Sequence, residues 1–318
     1  MSEHSTTRRR FVAASASTVA GLAVFGTANA TTPEWAVEET PVGSTLYDVA
    51  RTSEGAYAVG SGGVVLARNG GRWQKVIDGG PTGNGSSLYA CDTTDDGRRL
   101  WFVGASGAIG EYDPAASVLT DHSAPNDVTN NFNDVNVRGP ADEANVYVGG
   151  DSGKIYYSFD DGATGTWGQV TPGSGSAINA VDFFDDRQGH AVDGNKTVFV
   201  TDDGSSYDKL GIADANVNFY GVDSDGDDAV TVVGGGGIVY DWDGSQWTRT
   251  DLGDAQLRDV EVCDCGHHGL TVGGGGRVFA KDGRWTQEST PTGQNLKAVS
   301  RGATDLAVGA GGIVVAKE

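Results

Sequence analysis

Leu46-Tyr47-Asp48-Val49, followed by Val59-Gly60-Ser61-Gly62-Gly63, is the phrase on which the fold turns. It reads as an apolar–x–x–Val strand start, a turn, and a small–Val–Gly–x–x–Gly hairpin. The phrase returns as Leu88…Cys91 with Val103-Gly104, as Phe132…Val135 with Val148-Gly149, and in a worn form as Ile178…Val181 with Val192-Asp193-Gly194. Phe219…Val222 with Val233-Gly234, Leu257…Val260 with Val272-Gly273, and Leu296…Val299 with Val308-Gly309 complete seven copies. A spacing of roughly forty residues is that of a propeller blade.

The fifth copy shows how a repeat becomes a blade. Residues 219–222 read as a first strand, 223–228 as a polar turn and 230–233 as a second strand. Residues 234–237 read as a tight turn, 238–240 as a third strand, and 246–248 as a fourth. β-rich runs separated by Gly and Asp clusters are strand-and-turn chemistry, and four hairpin-linked antiparallel strands make one blade. The expectation is an all-β, seven-bladed propeller of four-stranded antiparallel blades in one domain over residues 31–318. The seventh copy stops after residues 313–316 and lacks a fourth strand. The stretch 35–39, opening on Trp35, resembles the strand after Gly283-Arg284-Trp285, so it should pair beside 313–316 and close the ring.

Ser158-Phe-Asp160-Asp-Gly162…Trp167 resembles an Asp-box with two extra residues before the Trp, and Asp202-Asp-Gly204-Ser-Ser-Tyr207 resembles a second. With the Val-Gly-x-x-Gly phrase, the chain resembles the BNR/Asp-box propellers of the WD40/YVTN-like repeat class. Its nearest likeness is to the photosystem II stability and assembly factor-like group of seven-bladed propellers. The resemblance implies a structural role for Ser158, Asp160, Gly162, Trp167, Asp202 and Gly204, with Asp carboxylates tying down backbone N–H groups. It implies no catalytic residue.

Thr7-Arg8-Arg9-Arg10-Phe11-Val12, an apolar stretch to Ala28 and Ala28-Asn29-Ala30 match a twin-arginine export signal over residues 1–30. The expected location is extracellular or at the cell surface, with no spanning helix. The net charge is −21, and removing Glu3 and the three Arg of the signal leaves −23. Dense Asp with few Lys resembles the proteins of salt-loving organisms, in which salt screens carboxylate repulsion. The thermal midpoint should therefore rise strongly between low and multimolar KCl, and a flat melting profile would refute this reading. No basic stripe is available to neutralise phosphates, so nucleic acid is not an expected partner.

Cys91 takes the place of Val in a first strand and reads as a buried apolar residue. Cys263, Cys265, His267 and His268 form a cluster of metal-type ligands suited to zinc or copper, or else a variable hairpin tip in which a disulfide can form. Asp223-Ser-Asp225-Gly-Asp227-Asp228 reads as a calcium loop or a solvated turn; it lacks the distal Glu of an EF-hand. No nucleophile elbow and no repeated Arg on the inner strands is present, and no cofactor is expected. His122 and His190 read as structural. Asp48, Asp134 and Asp259 occupy equivalent first-strand positions and read either as repeat residues or as the carboxylates of a glycan hydrolase.

Hairpin direction places the Asp-rich tips on one face, and the small Gly turns with the inter-blade links on the other. Binding is expected on the link side, where loops rim the channel mouth, at Asn130, Asn131, Asn218 and Tyr220. The expected function is non-catalytic binding of a protein partner, or assistance in assembling a surface complex, by a monomer. The alternative is a secreted protein that binds or hydrolyses glycan.

Overall fold

The computed structural model describes residues 34–318. Over these residues the chain forms seven four-stranded antiparallel sheets around a central channel, a seven-bladed β-propeller. The first strand of each blade faces the channel: Leu46–Thr52, Leu88–Thr93, Phe132–Arg138, Ile178–Phe183, Phe219–Gly226, Leu257–Val262 and Leu296–Ser300. Neighbouring first strands pack side by side around the ring. The apolar opener of every copy, from Leu46 to Leu296, is buried and packs between blades. Cys91 is buried, as its place in the repeat implies. Residues 1–30, read from the sequence as an export signal, lie outside the described residues.

Ring closure is as the sequence predicts. Ala36–Glu38 pairs antiparallel with Val314–Lys317, with Ala36 opposite Ala316 and Glu38 opposite Val314. Trp35 is buried against Leu270, Val272 and Leu296, and its indole N–H donates to Glu288 at 2.7 Å. Glu38 accepts from Arg68 at 2.6 Å and from the Trp73 indole at 2.8 Å. Burial works against its charge, yet these hydrogen bonds hold its carboxyl below the ordinary value.

The fifth blade corrects one expectation. Its first strand runs on to Gly226, so only Asp227 and Asp228 form the turn. Asp223 and Ser224 are buried strand residues, not members of a solvated or calcium-binding loop.

The last Gly of the repeated phrase has a steric cause. Gly63, Gly107, Gly153, Gly237, Gly276 and Gly312 all have φ between 69° and 74°. A Cβ at any of them would collide with the backbone of the blade's outgoing link. The worn fourth copy carries Lys196 in this place, at φ 64°.

The seams between blades are clasped by side chains of the first strands. Asp48 accepts from its own neighbour Val49 N and, across the seam, from Cys91 N, both at 2.7 Å. Asp134 bridges Val135 N and Val181 N, and Asp259 bridges Val260 N and Val299 N, in the same way. Two residues further along, Asp92 accepts from Val137 N, Asp182 from Ser224 N, Asp223 from Val262 N and Glu261 from Arg301 N. The closing seam has the opposite polarity: Arg51 of the first blade donates to Ser300, Arg301 and Thr304 of the seventh. Every seam thus has a charged clasp.

Asp182 reaches in both directions around the ring. One oxygen accepts from Asn136 Nδ2 at 2.9 Å and the other from Ser224 N at 2.8 Å, joining three blades in a buried site. Asp182→Ala should cost about 2 kcal/mol by leaving buried donors unmatched. Urea unfolding should show this as a lower midpoint with an unchanged slope; a midpoint equal to wild type would contradict the clasp.

Candidate binding site at the channel mouth

A second regularity lies at the start of each first strand. All seven first strands carry a register shift at the same place, skipping one residue between Leu46 and Asp48, Leu88 and Ala90, and so on to Leu296 and Ala298. The skipped residues are Tyr47, Tyr89, Asn133, Asn179, Tyr220, Arg258 and Lys297. A bulge leaves its extra residue unpaired and turns the side chain out of the pleat. All seven residues line the central cavity of about 610 Å³. Each is half-buried. They form a ring at the link-side end of the channel, one from each blade.

The ring has a chemical polarity. In blade order it runs Tyr47, Tyr89, Asn133, Asn179, Tyr220, Arg258, Lys297. Tyr47 and Tyr89 meet edge to face at 5.1 Å. Arg258 lies over the Tyr220 ring at 4.4 Å, a cation–π contact, and Gln256 donates to the Tyr220 hydroxyl at 3.3 Å. Asn133 and Asn179 donate to the carbonyls of Ile178 and Phe219 in the next blade, at 3.0 and 2.6 Å. Burial, then the neighbouring Arg258, push the Lys297 amine below its ordinary range. Burial raises the Tyr89 phenol, with Tyr47 and Asp151 adding to the effect. Cations flanked by aromatic faces on one arc, and amides on the other, suit recognition of a small polar group.

The residues singled out in the sequence fall variously. Tyr220 is in the ring. Asn130 and Asn218 are exposed at the ends of their links. Asn131 stiffens the rim: its Oδ1 accepts from Ser106 N at 3.2 Å and its Nδ2 donates to Asp151 at 2.9 Å. Asn295 holds Gly275 N in the equivalent way. Asp48, Asp134 and Asp259 reach the cavity wall, but each spends its carboxylate on two backbone N–H groups as a seam clasp. The other six ring residues stand in plain view, at the first x of the apolar–x–x–Val phrase. Because their identities differ from copy to copy, they read as noise in the repeat.

At the third blade's outer turn, the group that ties down backbone is the Ser158 hydroxyl. It accepts from Asp160 N and Gly162 N, while Trp167 Nε1 donates to Gly162 O at 3.0 Å. Asp160 offers its backbone carbonyl to Ala163 N. In the fourth blade Thr201 takes the hydroxyl's place toward Gly204 N. The carboxylate that anchors Ser205 and Ser206 there is Asp203, one residue beyond Asp202. These hydrogen bonds pull the Asp203 carboxyl down to about 2.

Cys263 and Cys265 form a disulfide at the exposed tip of the sixth blade. With their sulfurs joined they offer no thiolates, and the four-ligand set with His267 and His268 is not assembled. Glu111, Asp142 and Asp161 approach one another within 4.8 Å at the second–third seam. Arg99 and His122 lie on Glu111 at 3.1 and 3.2 Å and make this an ion-paired node. Among the described residues no helix is long and apolar enough to cross a membrane.

Solved structures share this ring. YCF48 bound to D1 peptide superposes with a TM-score of 0.71 at 13% identity, over 91% of this chain and 96% of that one. YCF48 from Cyanidioschyzon merolae gives 0.70 at 15% identity, over 90% and 98%. A catalytically inactive virginiamycin B lyase from Staphylococcus aureus, solved with quinupristin, gives 0.76 at 13%, over 90% and 99%. At these identities the likeness is one of fold. No family model and no curated protein matches the sequence.

Proposed function

We propose that this chain is a non-catalytic, extracytoplasmic binding propeller that holds a protein partner on its link-side face. The observation that carries this reading is the ring of seven bulged residues, each turned into the same channel mouth. A rigid scaffold that repeats one irregularity in every blade is built to present side chains there, whereas its opposite face ends in polar hairpin tips. The fold accommodates such a role, since YCF48 has been solved with a bound peptide. The hydrolase alternative loses its candidate carboxylates, because Asp48, Asp134 and Asp259 are committed to the seams. Export by the twin-arginine route, salt adaptation, Asp-box membership and a monomeric state belong to the same proposal.

Capture from native surface extracts at high salt tests it. A protein partner should be retained, and substitutions within residues 126–131 or 214–218 should weaken capture by more than substitutions at Asp227 and Asp228. The reverse ranking would put the binding face on the hairpin tips. Retention of glycan alone, abolished by changes at the channel mouth, would replace the protein-partner reading with the lectin one.

A further inference from the structure

We propose that the arc formed by Tyr220, Arg258, Lys297, Tyr47 and Tyr89 is a site for an organic carboxylate carried on a flat or apolar body. The inference rests on the link-side face being the binding face, and it names the chemistry read there.

Charge is the first observation. The chain carries −21 overall, yet the only formally charged members of its channel ring are two adjacent cations, Arg258 and Lys297. Among the described residues neither is paired with a carboxylate. The Asp259 carboxylate, next in sequence to Arg258, is hydrogen-bonded to Val260 N and Val299 N instead. Two like charges held side by side in a half-buried mouth repel each other, which adds to the effect of burial in depressing the Lys297 amine. An incoming carboxylate relieves that repulsion and accepts charge-assisted hydrogen bonds from both.

Shape is the second. The cations are flanked by Tyr220 on one side and by Tyr47 and Tyr89 on the other. Tyr220 already carries Arg258 on its face, which holds the guanidinium plane in place. The Tyr47–Tyr89 pair offers an aromatic wall against which a flat or apolar body can lie. The cavity, about 610 Å³, lies within the range of small-ligand sites. It is too small for a folded domain, so what enters it is a free small acid or the terminal residue of a longer chain.

The ring's construction is the third. The bulge exists in all seven copies, but cations occupy only the sixth and seventh, and aromatics only the first, second and fifth. The scaffold repeats while the chemistry is confined to one arc. The seam clasps to backbone are the Asp and Glu set and Arg51, whereas Arg258 crosses the fifth–sixth seam through its contact with the Tyr220 ring.

Calorimetric titration of the protein separates the sources. The probes are 3-phenylpropionate and its amide, and a short peptide ending in Phe as free acid or C-terminal amide. Binding of either acid with at least about ten-fold preference over its amide is expected, since a charge-assisted pair is worth a factor of this order. Preference shown by the small acid alone identifies a free acid as ligand; preference shown by the peptide alone identifies a chain terminus. Arg258→Gln and Lys297→Gln should each lower affinity about ten-fold. Lys297→Arg should retain binding, and melting curves should show all three folded. Absence of saturable binding by both acids, equal affinity for acid and amide, or full binding by the double Gln variant would overturn the proposal. If a partner is captured through the rim while these titrations fail, the proposed function stands and this inference does not.

Discussion

Deleting residues 34 to 40 should abolish cooperative folding and send the protein into aggregates. Among the described residues, the pairing of Ala36–Glu38 with Val314–Lys317 is all that covers the outer edge of the seventh blade. Without it, a Val-Val-Ala-Lys strand presents unpaired backbone groups to any neighbouring chain. The deletion also removes three tertiary anchors. Trp35 loses its bed between the sixth and seventh blades, Glu38 its bidentate pair with Arg68, and Thr40 its bond to Gly312 O. Trp35→Ala isolates the first of these and should cost about 3–5 kcal/mol, the usual range for emptying a buried Trp site. Size-exclusion chromatography and thermal melting check both variants. A deletion variant that elutes and melts like wild type would show that the ring closes without its N-terminal strand.

What the sequence makes legible is whatever recurs with the same residue type. The apolar opener and the Val-Gly-x-x-Gly turn repeat because one packs between blades and the other passes under a link too close for a Cβ. Those constraints act on every copy, so the seven blades and the closure can be read directly. The seam clasps are only half legible. Asp48, Asp134 and Asp259 are visible as equivalent positions, but the second set, Asp92, Asp182, Asp223 and Glu261, looks like turn residues in an Asp-rich chain. Either position can serve a seam, so neither is constant. Asp223 reads as the start of a turn for that reason, and the strand runs past it because its carboxylate has a donor in the next blade.

The channel ring is the least legible because what its seven positions share is backbone geometry. A bulge frees one side chain per blade from pairing and leaves its identity open. Tyr, Asn, Arg and Lys at that position satisfy the fold equally well, and the choice among them is left to whatever the mouth holds. The signal that could have found the ring is the combination of fixed spacing with unfixed chemistry.

Acid should weaken the fold through His190. The imidazole is fully buried, with Nδ1 2.7 Å from Ser224 Oγ, and among the described residues its Nε2 has no hydrogen-bond partner. A protonated ring would place a charge in this buried site and add an N–H with no acceptor among the described residues. Burial accordingly pushes its pKa from the ordinary 6.5 down to about 4. In the unfolded chain the ring takes up a proton near its ordinary value. Between these limits the unfolded state binds more protons, so stability falls as pH falls. The neutral ring's contribution is fully present above about pH 6.5. About 3 kcal/mol of it is lost by pH 4, since the difference in proton affinity is worth about 1.36 kcal/mol per pH unit. Ser224 N is held by Asp182 and its hydroxyl meets His190, so the loss is felt at the seam between the fourth and fifth blades. Urea unfolding at several pH values between 7 and 4 measures the slope. His190→Gln should start less stable, having lost a well-packed ring, but its stability should decline less over that range, by about 3 kcal/mol in total. Glu38 and the other carboxylates with lowered pKa contribute equally to both proteins and drop out of the comparison. Parallel profiles for wild type and His190→Gln would mean that the buried imidazole is not the group that titrates.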